Sequence, residues 1–481
     1  MKQSRKSNIL FTAIYRCVVI LTPLITSPYL SRVLGAGKLG MYAYSESFAT
    51  YFVLFSLMGV NDYGNRRVAQ VKGNREELSD NFWQIYYMQF LLTALMAVVY
   101  FVYVLLHSKY FGLQLVFGIY VLSSFFEISW FAFGMEQFKL TSIRSIVIRI
   151  GIVLCIFLFV RTEEDVWKYA LITTVGNVIS LLVILPLVFR YTDFRKPDFR
   201  KILSHVRPNI ILFLPIVATS VYNNLDRLML GAWSTETEIG YYQNAENIVR
   251  LPMFITTAVV NVFEPYSTSL LAMGDKNKSD SLLKSTLRYT SILNIAMAFG
   301  LAGIARTFIP WFLGEKYVRS AELIMMLAPI IFLCSFSDVL RYQYLIPNEH
   351  DTFSFVSIAV GSAVNVILNF FLIRPYGATG SAMATIVGYA VTMVIQFVFI
   401  NRKTHISDMV SYVLPFLVFG ILMITAVLTV SHVFAGLNPL LLSVAEIAAG
   451  AVIYLLLSFF WIRAKDRELL TLLKSALPGK K

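Results

Sequence analysis

The chain reads as an all-α integral membrane protein of about 14 transmembrane helices, on the strength of its composition, its apolar segments and its loop charges. It is 57% apolar and only 14% charged over 481 residues, with a mean hydropathy of +0.67. Soluble domains are roughly 45–50% apolar and about 25% charged, so most of this chain has lipid as its solvent. Stretches such as "FLLTALMAVVYFVYVLL" are apolar on every face, which fits a spanning helix and excludes the alternating polarity of a β-barrel strand.

The apolar segments run approximately over residues 8–31, 41–61, 83–106, 111–133, 143–160, 166–189, 209–231, 239–261, 287–309, 321–343, 353–373, 378–400, 411–431 and 440–462. The N-terminal "MKQSRKSNIL" has the charge of a signal peptide, but no small-residue cleavage site follows, and Arg16, Pro23 and Pro28 interrupt the run. A retained first helix is expected. Pro23, Pro28, Pro215 and Pro252 remove backbone donors inside these segments and are the expected bending points.

Basic residues resist translocation, so the loops that carry them mark the cytoplasmic side. They are "NRRVAQVKGNREEL", "FRYTDFRKPDFRKILSHVR", "MGDKNKSDSLLK" and the tail. Roughly 26 Lys and Arg fall on the side of the N-terminus against about 8 on the other, which places both termini in the cytoplasm. The formal charge of +13 is thereby a topology and anionic-lipid signal, and no nucleic-acid partner is expected. Cys17, Cys155 and Cys334 are far apart in apolar segments, and the five histidines are scattered; no disulfide, metal or other cofactor is expected. No loop is long enough for a soluble catalytic domain, and no P-loop or clustered nucleophile and base is present, so the chain reads as a non-enzyme.

An internal repeat organises the chain. "SRVLGAGKLGMYAYSESF" parallels "DRLMLGAWSTETEIGYYQNAENI": Arg32, Gly35 and Ala36 match Arg227, Gly231 and Ala232, and Gly40, Tyr42 and Glu46 match Gly240, Tyr242 and Glu246. A weaker echo links "EEDVWKYALITTVGNVIS" to "YGATGSAMATIVGYAV". Two six-helix halves of equal topology follow, as in several transporter folds: residues 1–205, residues 206–405, and an addition of two helices with a basic tail over 406–481.

The stretch "SPYLSRVLGAGKLGMYAYSESF" resembles the polysaccharide and O-antigen flippases, which form one superfamily with multidrug and toxin extruders and lipid II flippases. The resemblance implies two pseudo-symmetric six-helix lobes around a central cavity. It also implies an undecaprenyl-pyrophosphate-linked oligosaccharide as the substrate, carried from the cytoplasmic to the outer leaflet of a bacterial cytoplasmic membrane for capsule, O-antigen or exopolysaccharide synthesis. Membrane lipids and the polymerase and export machinery are the partners it implies. A multidrug extruder of the same superfamily and a membrane polysaccharide polymerase are the alternatives.

An ionised group at the bilayer centre costs about 2.5–3.5 kcal/mol even on lenient scales, so intramembrane charges face protein or a watery cavity. Arg16, Glu46, Glu127, Arg149, Asp226, Arg250 and Arg341 lie within apolar segments and are the candidate cavity residues. Arginine suits a pyrophosphate because its planar fork donates paired hydrogen bonds; Arg16, about two turns inside the first helix, is the leading candidate. Asn223, Asn224, Asn365 and Asn369 are candidates for sugar hydroxyls, or for bonds between helices. Glu46, Glu127 and Asp226 are candidates for binding and releasing a coupling ion. Glu246 precedes Arg250 by four residues and Asp338 precedes Arg341 by three, spacings at which each pair can neutralise itself. Trp130 is a candidate for stacking on a sugar.

Overall fold

The computed structural model describes residues 5–466, and side chains from Ile14 onward apart from Arg16, Cys17 and Ile20. Arg16, the leading candidate above, therefore lies outside the described side chains. The described chain is helical from end to end: α1 (Arg5–Leu57), α2 (Val60–Val71), α3 (Arg75–His107), α4 (Phe111–Ser123), α5 (Ser129–Gly134), α6 (Phe138–Phe159), α7 (Val166–Leu182), α8 (Leu185–Tyr191), α9 (Phe199–Trp233), α10 (Glu236–Arg250), α11 (Met253–Ala272), α12 (Lys276–Leu313), α13 (Val318–Leu327), α14 (Pro329–Leu340), α15 (Asp351–Tyr376), α16 (Ala378–Thr404), α17 (Asp408–Val433) and α18 (Pro439–Lys465).

Among the described residues ten helical segments are long and apolar enough to cross a membrane, and two bent pairs raise the number to twelve if each is one span. The pairs are α10 with α11, bent by 44°, and the helices over 315–345, bent by 42°. The first bend falls at Leu251–Pro252 and the second at Ala328–Pro329, where a proline enters the first turn of the next helix; proline is tolerated there because that turn has no donor to lose. In α1 the expected prolines Pro23 and Pro28 stay within helix, and the break comes at Gly35, whose φ of 71° and ψ of 168° are open to glycine.

The helices are inside-out relative to a soluble protein. On α3, Leu91, Leu95, Val98, Val102 and Leu105 form one exposed stripe, while Gln84, Gln89, Thr93 and Tyr100 are buried. That arrangement suits a hydrocarbon solvent, in which packing and polar bonds between helices replace the hydrophobic drive.

The chain divides into two compact units, Met1–Gln243 and Asn244–Lys481. The first has one core of α1, α3, α4, α6 and α7 around Tyr42, Tyr100 and Phe117, and another where α2, α3, α5 and α8 meet the start of α9 around Phe82, Trp130 and Ile202. The second has one core of α11, α12, α14 and α16 around Leu287 and Leu340, and another of α12, α17 and α18 around Ile295, Phe416 and Tyr454. The C-terminal helices α17 and α18 thus pack on α12 within the second unit.

The segment 111–133 is broken rather than continuous. After α4, residues Ser124–Phe126 form one 3-10 turn and Glu127 is extended. Gln89 of α3 closes the gap: its Nε2 donates to the Ser124 carbonyl at 2.7 Å and to the Glu127 carbonyl at 2.9 Å. The Trp130 indole N–H donates to the same glutamine at 3.2 Å and to the Glu127 carbonyl at 3.1 Å. Trp130 is 1% exposed and stacked on Phe82, so it is a core side chain and presents no face to a sugar. Gln89→Leu leaves the Ser124 carbonyl with only a long 3.4 Å bond from the Glu127 N–H, at about 1–3 kcal/mol, while the Glu127 carbonyl keeps its bond from Trp130. A melting temperature well below wild type in detergent is expected, and an unchanged one would refute the bracing role.

Candidate functional site

Each unit holds a buried polar network, and the repeated motif lies in both. In the first unit, the Tyr42 hydroxyl donates to Glu46 at 3.3 Å and lies 3.3 Å from Thr173, while its ring stacks on Tyr169 with centroids 4.3 Å apart. The Arg227 guanidinium is near enough for its charge to act on Glu46. Asp226, 3% exposed, accepts 2.8 Å from the hydroxyl of Tyr242. Asn223 and Asn224 are half-buried one turn earlier on α9, and Asn224 bonds back to Ser220 at 3.4 Å. Charges about 180 residues apart in the chain, Glu46 on α1 and Asp226 and Arg227 on α9, are thus brought together.

A second group in this unit surrounds Glu127, whose Oε1 accepts from the Ser129 N–H at 3.0 Å. Arg144, which is not among the expected cavity residues, is near enough for its charge to meet that of Glu127. Arg144 donates to the Ser180 carbonyl at 2.8 Å. Arg149 is half-buried farther along α6.

In the second unit Glu246, 3% exposed, is bridged by Arg250 at 2.7 and 3.1 Å. The i,i+4 neutralisation expected from spacing is present. Arg250 also acts on Cys334, Asp338 and Tyr389, so helices α10, α14 and α16 meet at this arginine. Asp338 and Arg341 influence each other electrostatically, but no ion-pair contact joins them among the described residues. Arg341 lies over the Tyr342 ring at 4.9 Å, reaches Glu264 with its charge, and keeps a buried Nε without a hydrogen-bond partner among the described residues. It stands at the start of a π-helical turn, Arg341–Leu345, whose Gln343 carbonyl accepts from Ser267 at 2.8 Å. Cys334, Tyr389 and Glu264 carried no sequence signal, because their roles depend on neighbours distant in the chain.

Other candidates sit between helices. Asn365 and Asn369 are fully buried, with Asn369 donating to Asn365 at 3.2 Å and Asn365 to Thr385 at 3.3 Å; the bonds tie α15 to α16. Glu446 of α18 is also buried and accepts from Thr307 of α12 at 2.8 Å. Among the described residues no group of three His, Cys, Asp or Glu is arranged to hold a metal.

The two copies of the repeated motif touch within the first unit. A Cβ on Gly40 would overlap the backbone of Glu236, and one on Gly240 would overlap the backbone of Ala36. Gly231 leaves room for the Tyr44 ring in the same way. Glu236 accepts 2.6 Å from the Tyr110 hydroxyl and pairs with Lys109 at 3.1 Å, and Lys109 donates to the Gly231 carbonyl at 3.2 Å. Backbone meets backbone here because glycine permits it.

This multi-pass helical fold is that of the flippases and transporters of the multidrug, oligosaccharidyl-lipid and polysaccharide exporter superfamily. The solved structure titled "Lipid II flippase MurJ, inward closed conformation" covers 95% of this chain and 99% of its own, with a TM-score of 0.76 at 14% identity. An inward-facing multidrug transporter of that superfamily covers 83% of this chain and 99% of its own, with a TM-score of 0.64 at 12% identity. At these identities the likeness is one of fold. Residues 6–271 match the family described as polysaccharide biosynthesis protein, and the chain belongs to that family. The relative named "Putative O-antigen transporter" from Escherichia coli (strain K12) is 22% identical over 410 residues, covering 84% of this chain and 98% of its own.

Proposed function

We infer that the protein is a flippase that carries an undecaprenyl-pyrophosphate-linked oligosaccharide from the cytoplasmic to the outer leaflet of a bacterial cytoplasmic membrane by alternating access. The observation that carries this reading is the placing of arginines in buried networks at the repeated motif and at the π-helical turn, within a fold shared with lipid II flippases. A pyrophosphate at the junction of a lipid tail and a sugar head needs cations inside the membrane region, and guanidinium is the cation that pairs best with phosphate oxygens. Arg341 is the guanidinium we assign to the anion in the second unit, with Arg16, Arg149 and Arg250 as further cavity cations. Asn223 and Asn224 serve the sugar, and Glu46, Glu127 and Asp226 are assigned to ion coupling.

Counting α1 as two spans about Gly35 brings the twelve to fourteen, with both termini cytoplasmic. In this reading residues 1–205 and 206–405 are the two lobes, and 406–481 is an addition. The contact of Gly40 with Gly240 lies just past the Gly35 break in α1 and in the first turns of α10; in this reading that is the non-cytoplasmic side, and the contact is the closed state of an outer gate. Members of the superfamily that expel cationic drugs would favour a more acidic interior, so the arginines weigh against the multidrug alternative.

The test is accumulation of lipid-linked repeat units in cells lacking the protein, with rescue by wild type and by Arg341→Ala and Arg16→Ala. Units held on the cytoplasmic face, with expressed variants failing to rescue by tenfold or more, support the flippase and its anion site. Units that reach the outer leaflet while only polymerisation stops would overturn the reading in favour of a polymerase. Cys334, half-buried beside Arg250 and Asp338, supplies a second check: a water-soluble thiol reagent is expected to label it slowly, and lipid-linked substrate to slow that labelling severalfold further. Labelling indifferent to substrate would remove this group from the site.

A further inference from the structure

Residues 192–198 between α8 and α9 run without helix along the first turns of α3, and their two sides are treated differently. One side is fastened. Asp193 takes paired hydrogen bonds from Arg75 at 2.8 and 2.9 Å, and its backbone N–H donates to Ser79 at 2.9 Å. Arg195 pairs with Glu76 at 3.1 Å and its carbonyl accepts from Tyr87 at 3.0 Å. Gln84 grips the end of the strap by donating to the Lys196 carbonyl at 3.1 Å and accepting from the Asp198 N–H at 2.9 Å. The Arg75 bonds hold the Asp193 carboxyl below its ordinary range.

The other side is left open. Phe189, Phe194, Phe199 and Leu203 are each more than half exposed. Between them Arg190, Lys196, Arg200 and Arg207 are exposed, and none forms an ion pair among the described residues, unlike Arg75, Arg195 and Lys201 nearby. Arg200 and Arg207 are seven residues apart on α9 and so share one face of the helix. The opposite face of α9, through Ile202, His205 and Asn209, is buried. The surface therefore offers aromatic and aliphatic groups beside four cations with no internal counter-charge. In water the phenyl groups would be exposed at a cost; in pure hydrocarbon the cations would be. Both are satisfied where acyl chains meet phosphate, with the long basic side chains reaching to the headgroup level.

We propose that this face of the α8–α9 strap is a binding surface for anionic phospholipid headgroups, which seat the strap on the membrane while α3 holds its inner side. The proposal is independent of the transported substrate, since none of these residues belongs to the networks described above.

The experiment is native mass spectrometry of the full chain in detergent at 150 mM salt, with phosphatidylglycerol and phosphatidylcholine as competing probes. Wild type is expected to retain phosphatidylglycerol at least fivefold over phosphatidylcholine. The variant Arg190→Gln, Lys196→Gln, Arg200→Gln, Arg207→Gln is expected to lose that preference. A control neutralising Lys276, Lys284, Arg402 and Arg463 is expected to keep it. Should the quadruple variant fail to fold, the charge-preserving exchange Arg190→Lys, Lys196→Arg, Arg200→Lys, Arg207→Lys replaces it, with retained preference supporting the surface and lost preference overturning it. Equal retention of the two lipids by wild type, or an equal loss in the control, overturns the proposal, the latter by assigning the effect to overall charge.

Discussion

Gly240→Ala and Gly40→Ala are each expected to reduce transport by at least tenfold while leaving insertion into the membrane intact. A single methyl at either position falls on backbone of the opposing copy of the motif, Ala36 in one case and Glu236 in the other. Backbone cannot turn aside as the end of a long side chain can, so the two segments must separate, and α1 and α10 with them. Overpacking of a close contact typically costs about 1–3 kcal/mol, enough to shift a two-state equilibrium severalfold to more than a hundredfold. The direct readout is disulfide formation between Gly37→Cys and Thr237→Cys in a chain whose native cysteines are replaced, because a Cβ at Gly37 would stand 3.6 Å from the Thr237 hydroxyl. The crosslink is expected to form readily with glycine at 40 and 240, and slowly with alanine at either. Unchanged crosslinking together with normal transport would show that the contact is slack.

Removing Arg250 is the second large effect. Glu246 is buried and its Oε1 accepts from the Arg250 guanidinium at 2.7 and 3.1 Å, so Arg250→Ala removes the charge that neutralises it, at an expected cost of about 3–5 kcal/mol. Glu246→Gln removes the charge and keeps the shape, and is expected to be much milder. The combination of Glu246→Gln with Arg250→Ala should recover most of the stability lost by Arg250→Ala alone. Thermal unfolding in detergent reads this cycle, and transport separates stability from function: a stable double variant that still transports would confine the pair to structure. Additive losses would show that the two residues are not coupled.

The Asp193–Arg75 pair gives a pH signature. A carboxyl lowered in the folded state contributes its stability above the ordinary carboxylate pKa of about 3.9 and loses it as pH falls through the lowered value. Hydrogen-exchange protection at the Asp193 and Asp198 amides is expected to hold constant from neutral pH down to about 4 and to fall below it. A decline centred near neutral pH would assign the strap to another group.

Much of this architecture was legible in the residues. The apolar segments fall largely on helix, and ten to twelve of the described helical stretches are long and apolar enough to cross a membrane, because a bilayer core demands length and apolarity that few other structures imitate. The repeat was legible for a similar reason: glycines and a tyrosine and glutamate at matched spacing survive in one dimension. Bends were less legible. Pro252 and Pro329 mark real breaks while Pro23 and Pro28 do not, since a helix tolerates a missing donor wherever neighbouring groups can absorb it.

The sequence by itself determined the solvent, the helices, the repeated motif and the residues able to bear charge inside the membrane. Only the tertiary structure decided which groups those residues meet. It set Arg144 beside Glu127, gathered Cys334 and Tyr389 around Arg250, buried Trp130 in a core, bonded Asn365 and Asn369 between α15 and α16, and pressed Gly40 against the second copy of its own motif. The physical reason is the reach of the interactions. Transfer into lipid depends on each side chain and its helix, whereas ion pairs, buried hydrogen bonds and backbone contacts depend on which atoms stand within a few ångströms, and residues far apart in the chain supply them.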